Sequence, residues 1–163
     1  MRIVVCDTGP LLHLGEANII NLLNLAGEII IPSVVAEEFK RNGSDMNLPD
    51  WVTVKELNEI YQKKAFDWRK QIDEGEAAAI ALTMQLQPDW LLTDDAIARQ
   101  FGESLGLEIH GSIGLLLWAV AVGHIKSESA ALKSLNALAG SSLWISDQVV
   151  NQARKAIHGL YSA

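Results

Sequence analysis

The sequence has 163 residues, of which 49% are hydrophobic and 20% are charged, and this composition is that of one globular domain with a buried core. The formal net charge of -7 argues against a protein that coats nucleic acid with a broad basic surface, but it is compatible with an enzyme whose carboxylates bind metal ions. A single cysteine, Cys6, excludes an internal disulfide, and the apolar runs are too short for a signal peptide or for a membrane span of ~20 residues. We therefore expect a cytoplasmic protein with no membrane segment.

The first half of the chain predicts the order strand, helix, strand, helix. Residues 3–6 form a β-branched, apolar run that stops at a turn sequence, and they predict a buried strand. Apolar residues at helical spacing over residues 11–25 predict one or two helices. Residues 28–32 predict a second buried strand, after which Ser33 is expected to cap a helix that ends at Gly43.

The second half continues this alternation. Residues 51–57 predict an edge strand and residues 58–71 a polar helix, and they are followed by a helix over residues 77–86 and a buried strand over residues 90–93. The remaining predicted elements are a helix (96–105), a strand (107–110) and three helices (112–123, 127–138 and 146–158). The helix at 112–123 could belong to the core or form an oligomer face.

Alternating strands and helices, with strands that are continuously apolar, predict a parallel sheet covered on both faces. The expected fold class is therefore a three-layer α/β/α domain with extra helices at its C-terminal end. Ligands of such folds bind beyond the carboxyl ends of the strands. Acidic residues at those ends are the first candidates for a functional site.

Two acidic residues in the first half of the chain lie near the carboxyl ends of predicted strands. Asp7 directly follows the first predicted strand, although an Asp there can also be a helix cap or a turn residue. Glu38 lies between one and two turns into the helix after the second strand, near the border of its apolar side, whereas Glu37 points toward solvent. Glu38 could also be an ordinary solvated helix acid.

Further acids lie in the second half. Glu76 has the spacing of a capping box with Asp73, and the cap and ligand roles are compatible. The pair Asp94 and Asp95 follows a buried strand and precedes a helix. One of the two can cap that helix, but two caps would be redundant, and two like charges at one place are costly unless a cation joins them.

Carboxylate oxygens brought together in this way suit Mg²⁺ or Mn²⁺. Zinc is disfavoured because the four histidines are scattered and the one cysteine lies in a strand. The sequence has neither the glycine-flanked serine of a nucleophile elbow nor a phosphate-binding loop of the Gly-rich Lys type. The triplet that begins at Asp7 also matches the aspartic-protease signature, but it has no second copy. Metal-assisted chemistry is the remaining prediction.

Four ordered blocks of sequence resemble the PIN-domain family, and in particular the VapC-like toxin ribonucleases of prokaryotic toxin-antitoxin systems. The blocks are Ile3-Val4-Val5-Cys6-Asp7-Thr8, Ile31-Pro32-Ser33-Val34-Val35-Ala36-Glu37-Glu38-Phe39, Gly75-Glu76-Ala77-Ala78-Ala79-Ile80-Ala81-Leu82 and Leu91-Leu92-Thr93-Asp94-Asp95. The resemblance covers residues 1–125. We therefore expect a single domain over residues 1–163, with residues 1–125 as its core and residues 126–163 as a helical extension. It places the four acids of the family on Asp7, Glu38, Glu76 and either Asp95 or Asp94. The third acid is more often Asp in the toxins, so the longer Glu76 must fold back.

The resemblance implies a Mg²⁺- or Mn²⁺-dependent endoribonuclease that cuts single-stranded or structured RNA, with an antitoxin protein and a homodimer as expected partners. It makes Asp7 and Asp95 the main ligands, with Glu38, Glu76 and Asp94 completing the metal set. Thr8 and Thr93 are expected to support the metal ligands. Lys40, Arg41 and Arg99 are expected to contact the RNA.

Two other classes of function are considered. A non-catalytic PIN-like module that binds RNA or protein is the alternative. A phosphate-accepting receiver domain is disfavoured because Asp7 is a single acid after the first strand and no Lys follows the last strand at residues 110–112.

Overall fold

The computed structural model describes residues 1–43 and 45–162. Its centre is a sheet of five strands in which every neighbouring pair is parallel and the spatial order is β3-β2-β1-β4-β5. The strands are β1 (Ile3–Cys6), β2 (Glu28–Pro32), β3 (Val52–Lys55), β4 (Trp90–Leu92) and β5 (Ile109–His110). Strand β1 is central, and the predicted edge position of β3 is confirmed.

Nine helices occur in the described part of the chain. They are α1 (Thr8–Glu16), α2 (Asn21–Ala26), α3 (Ser33–Asn42), α4 (Glu59–Trp68), α5 (Glu74–Leu86), α6 (Ala96–Ser104), α7 (Ser112–Ala121), α8 (Glu128–Ala139) and α9 (Asp147–Ser162). They cover both faces of the sheet, so the predicted three-layer α/β/α fold is confirmed.

The pleat of the strands divides the core into two clusters. Val4 and Cys6 of β1 point to one side, where α1, α2, α3, α7, α8 and α9 pack, whereas Val5 between them points to the side covered by α4, α5 and α6. Successive side chains of a strand alternate between faces, so a strand buried on both sides must be apolar throughout. This requirement explains the continuous apolar runs of β1 and β2.

The last two helices belong to the first of these clusters. Helix α8 buries Ala131, Leu135 and Leu138, and α9 buries Ala153 and Ile157. The C-terminal segment therefore packs on the same sheet face as α1 and α7. Residue 163 lies outside the described residues.

Helix α7 contributes to the core with Leu115 and Leu116, which are 1% and 0% exposed. The core interpretation of this helix is confirmed for those two residues, while Val122 just beyond the helix is 52% exposed. Across residues 1–43 and 45–162, no helix combines the length and the hydropathy needed to cross a membrane.

One predicted cap is wrong. Strand β2 continues to Pro32, and α3 begins at Ser33 without an intervening loop residue, so Ser33 has helical geometry and cannot be the N-cap. Pro32 occupies the cap position and has no side chain to accept a hydrogen bond. The Ser33 hydroxyl instead donates to Oε2 of Glu56 at 3.1 Å.

Candidate metal centre

Asp7 lies at the carboxyl end of the central strand and is buried, with 5% of its surface exposed. Its Oδ1 accepts a hydrogen bond from the backbone N–H of Thr8 at 2.7 Å, and its Oδ2 accepts one from the hydroxyl of Thr93 at 3.0 Å. Burial raises the pKa of Asp7 to about 7, and the nearby charge of Glu76 adds to this effect, while the two hydrogen bonds oppose it. Asp7 is therefore held in place, and its ionised form is destabilised.

Glu38 reaches the same region from α3. Its Oε2 accepts a hydrogen bond from the hydroxyl of Thr8 at 2.6 Å. The carboxylate lies against Gly75 at the start of α5, so closely that a Cβ atom on Gly75 would collide with both of its oxygens. Burial raises the pKa of Glu38, and the charge of Asp73 raises it further. Glu37, by contrast, is exposed.

Glu76 caps α5, as its spacing from Asp73 predicts, and also lines the region of the other acids. It completes a capping box with Asp73: the Glu76 N–H donates to Asp73 Oδ1 at 2.8 Å, and the Asp73 N–H donates to Glu76 Oε1 at 3.0 Å. Burial raises the pKa of Glu76 to about 7, and the charges of Asp73, Asp95 and Glu38 also raise it. The second carboxylate oxygen, Oε2, is not used by the capping box.

The two acids after β4 cap two different helices. Asp95 is the N-cap of α6, and its Oδ2 accepts from the N–H groups of Ile97 and Ala98, both at 3.1 Å. Asp94 accepts at Oδ1 from the N–H of Ser112, the first residue of α7, and at Oδ2 from the hydroxyl of the same residue, both at 2.6 Å. Only one acid of the pair therefore caps α6, as expected, and the other is free to bind the start of α7 because β5 pairs with β4 and brings Ser112 beside Asp94.

His13 of α1 is a further partner of Asp94. Its Nδ1 lies 2.7 Å from Asp94 Oδ2. This role was not predicted from the sequence, where the histidine served only to disfavour zinc. Its position between one and two turns after Asp7 is the only sequence signal for the role, and that signal is weak because helical histidines at such spacings are common.

All five candidate acids line one cleft of about 690 Å³ at the carboxyl ends of the strands. The described residues that line it include no Lys or Arg. Besides Asp7, Glu38, Glu76, Asp94 and Asp95, the lining contains Thr8, Gly9, Leu12, His13, Asn42, Asp73, Ala96, Ile97, Ser142, Leu143 and Trp144. Residues 142–144 come from the connection between α8 and α9, for which the sequence suggests no function.

The expected RNA-contacting residues lie outside this cleft. Lys40 and Arg41 are exposed in the last turn of α3. Arg99 lines an adjacent cavity of about 300 Å³ that shares Asp94, Leu143 and Trp144 with the cleft.

Two further cations next to the cleft were not predicted as RNA contacts from the sequence. Arg69 and Lys70 line a cavity that shares Glu76 and Asp95 with the cleft. They directly follow α4 and lie three to four residues before the cap residue Asp73. Their nearness in sequence to the acidic start of α5 could have identified them as candidate phosphate contacts.

The donor set of the cleft suits a hard divalent cation, because its charged groups are carboxylates and the pKa values of three of them are raised partly by their neighbours. Within the described residues, no group of three or more His, Cys, Asp or Glu side chains already stands in a metal-holding arrangement. Each acid instead accepts hydrogen bonds from the protein. A carboxylate has about four acceptor positions, so these bonds leave capacity for a cation.

A protein-family model described as a PIN domain matches residues 3–158. The match includes α8 and most of α9, beyond the segment over which the four sequence blocks extend. None of the curated proteins matches the chain.

Proposed function

The chain belongs to the PIN-domain family, and from this membership and the acid cleft we propose that it is a Mg²⁺- or Mn²⁺-dependent endoribonuclease. The observation that carries the proposal is the gathering of Asp7, Glu38, Glu76, Asp94 and Asp95 around one cleft. Such a cluster repels phosphate unless a cation reverses the local charge. The same cluster is the ligand type that Mg²⁺ and Mn²⁺ prefer.

In this proposal Asp7 and Asp95 are the main ligands, and Glu38 and Glu76 complete the set. Asp95 is preferred to Asp94 because its Oδ1 is free of the capping bonds made by Oδ2. Both oxygens of Asp94 are already engaged. A divalent ion bound there supplies Lewis acidity and lowers the pKa of a bound water, which is the chemistry that phosphodiester hydrolysis needs.

The remaining residues hold this arrangement. Thr8 links Asp7 to Glu38, because its N–H donates to the former and its hydroxyl to the latter. Thr93 fixes the other oxygen of Asp7. Asp94 joins α1 to α7 through His13 and Ser112, so it acts as a positioning residue.

Cations on the two sides of the cleft are proposed to contact the phosphate backbone of the RNA. Arg69 and Lys70 lie on one side and Arg99 on the other, so a strand crossing the acids meets a positive charge before and after them. Lys40 and Arg41 are candidates farther along α3. Neutralising any one of these side chains should weaken RNA binding and reduce its salt dependence.

The test is cleavage of a labelled single-stranded RNA in EDTA, Mg²⁺ or Mn²⁺, with a structured RNA hairpin as a second substrate. We expect cleavage with either metal and none in EDTA, and Asp7→Asn should reduce cleavage to the EDTA level. Asp67→Asn, on the exposed side of α4, is the matched control and should cut like the wild type. Cleavage by Asp7→Asn at the wild-type rate would contradict the proposal.

A specific role as the toxin of a toxin-antitoxin pair is a narrower proposal. It predicts a neighbouring reading frame for a small antitoxin with a DNA-binding head, and growth arrest that this antitoxin relieves. The protein would act in the cytoplasm, in keeping with its lone buried Cys6, and a homodimer is part of this proposal. Growth that is unaffected by expression of the active enzyme would favour a nuclease without an antitoxin.

The alternative function is a PIN-like module that binds RNA or protein without cutting. It is favoured by one observation, that no three acids in the described part of the chain are already arranged around a metal position. RNA binding by the wild type without cleavage in either metal would support it.

A further inference from the structure

Trp144 is an unusually exposed aromatic residue. Its relative exposure is 86%, whereas Trp51, Trp68, Trp90 and Trp118 are all partly buried. A large ring left in water contributes nothing to the stability of the core. Trp144 is therefore a candidate for contact with a ligand, provided that its surroundings also suit one.

The segment that carries Trp144 is held in place. The hydroxyl of Ser142 donates to Oε1 of Glu16 in α1, and its N–H donates to Oε2 of Glu16 at 3.3 Å. The flanking residues Leu143 and Ile145 are partly buried, so Trp144 between them points outward. The segment thus presents the ring from a fixed backbone.

The ring stands between two concave sites. Trp144 lines both the acid cleft and the adjacent cavity of about 300 Å³. Arg99 lines that cavity, and its guanidinium takes part in none of the ion pairs found among the described residues. The cavity therefore offers an aromatic face and a positive charge that makes no direct ion pair within the described residues, next to the acids.

We propose that Trp144 and Arg99 form a subsite for one unpaired nucleotide of the RNA strand, with its base stacked on Trp144 and its phosphate at Arg99. This inference rests on the RNA-binding part of the proposed function, not on cleavage, and assigns recognition of an unpaired nucleotide to two residues. Stacking on an aromatic side chain requires a base that has left the helix, because bases in a duplex already stack on each other.

Size, charge and position favour a nucleotide over a protein partner. A volume of about 300 Å³ is at the lower end for small-molecule sites, and protein interfaces are broad surfaces rather than concave pockets. The cavity adjoins the cleft, because Asp94, Leu143 and Trp144 line both, so a strand whose phosphate lies at the acids would place a nearby nucleotide at Trp144.

The test measures binding of a fluorescent 12-nucleotide single-stranded RNA of mixed sequence in Mg²⁺. All variants are made in an Asp7→Asn background so that the RNA stays intact, which a gel checks. Trp144→Ala should raise the Kd for the single strand about 5- to 150-fold, and Trp144→Phe should recover part of the loss. Binding of a blunt RNA duplex should be unaffected by Trp144→Ala. Arg99→Gln should weaken binding and reduce its salt dependence.

Two variants serve as controls. Val122→Ala removes exposed apolar surface at the far end of α7, about 15 Å along the helix from Ser112, and Lys155→Gln removes an exposed charge from α9. Neither should change the Kd. Light scattering compares the oligomeric state of Trp144→Ala with that of the wild type.

The outcomes separate this inference from the proposed function. If the Kd of Trp144→Ala equals that of the control variants, the subsite is wrong, whether or not the wild type cuts RNA. If Trp144→Ala changes only the oligomeric state, Trp144 belongs to an interface between copies, and the subsite is again wrong. If the wild type binds single-stranded RNA through Trp144 but cuts nothing in Mg²⁺ or Mn²⁺, the nuclease proposal fails and the subsite stands.

Discussion

At the scale of single residues, Asp7 determines how the stability of the metal-free protein depends on pH. Its pKa in the folded state is about 7, well above that of an exposed Asp, and the pKa of Glu76 is also about 7. Between pH ~4 and ~7 the folded protein therefore holds protons that the unfolded chain has lost, so the free energy of unfolding falls as pH rises through this range. In EDTA, the melting temperature should be higher at pH 5.5 than at pH 8.

Asp7→Asn removes one of these groups and tests the assignment. The amide can accept from Thr8 as the carboxylate does, and its NH₂ group can donate to the oxygen of Thr93, so a hydrogen bond to each threonine is kept while the buried charge is removed. At pH 8 without metal we expect this variant to be as stable as the wild type or more stable, with a weaker pH dependence. If the free energy of unfolding of this variant depends on pH between 5.5 and 8 as steeply as that of the wild type, Asp7 is not buried as described.

Gly75 sets the position of Glu38. Gly75→Ala would gain about 1 kcal/mol of helix propensity, but the added Cβ atom collides with the Glu38 carboxylate and forces it away. We expect a folded protein in which Mn²⁺ raises the melting temperature less than in the wild type. Gly114→Ala in α7 is the matched control, because the nearest atom to its Cβ is 3.9 Å away.

A double substitution separates the collision from other effects. In Gly75→Ala combined with Glu38→Ala the collision is gone, so the helix gain should appear as a higher melting temperature than that of Glu38→Ala alone. A full Mn²⁺ shift in Gly75→Ala would show that Glu38 does not contribute to the metal site.

At the scale of secondary structure, the capping box joins the stability of α5 to the placement of Glu76. Asp73→Ala should lower the free energy of unfolding by about 0.5–2 kcal/mol, because the Glu76 N–H loses its acceptor on the Asp73 side chain. The backbone N–H of residue 73 remains as a donor to Glu76, but the first turn of α5, which carries Glu76, is no longer capped, so metal binding should also weaken. Asn58→Ala removes the cap of α4 and is the matched control. Both should melt earlier, but only Asp73→Ala should show a reduced Mn²⁺ shift in melting temperature.

The elements could be predicted from the sequence where one local pattern determines them. Strand β1 follows from an apolar run, and the start of α5 follows from the spacing of Asp73 and Glu76. The role of Asp94 could not be predicted, because its main partner, Ser112, is 18 residues away and is brought close only by the pairing of β4 with β5. Trp144 reaches the cleft through packing of α8 and α9 that no local pattern specifies.

At the scale of the whole molecule, the family was predicted from four short blocks and the α/β/α fold from the alternation of strands and helices, and the family match and the sheet confirm them. The blocks suffice because they lie at the strand ends, where a parallel sheet brings residues distant in sequence together. The pKa of each acid depends on its burial and its hydrogen bonds in the folded protein. These could not be predicted from the four blocks.

Metal binding should also be visible as a property of the whole fold. Ions that bind only the folded protein relieve the repulsion among the acids, and at a free concentration ~100 times the Kd they stabilise it by about 2.7 kcal/mol, which is several degrees in melting temperature. Mg²⁺ and Mn²⁺ should both produce this shift, and it should be larger at pH 8 than at pH 6 because the ligands bind as carboxylates. NaCl at matched ionic strength should not reproduce it.

The central position of β1 has a consequence during synthesis of the chain. Asp7 is made before Thr93, which holds it and comes 86 residues later in the chain. At about 5 to 20 residues per second, roughly 4 to 17 s pass before that partner is translated. Until then Asp7 lacks the partner that fixes its Oδ2, so the cluster of acids cannot be completed, and any nuclease activity of the kind proposed must wait for residues 93–95.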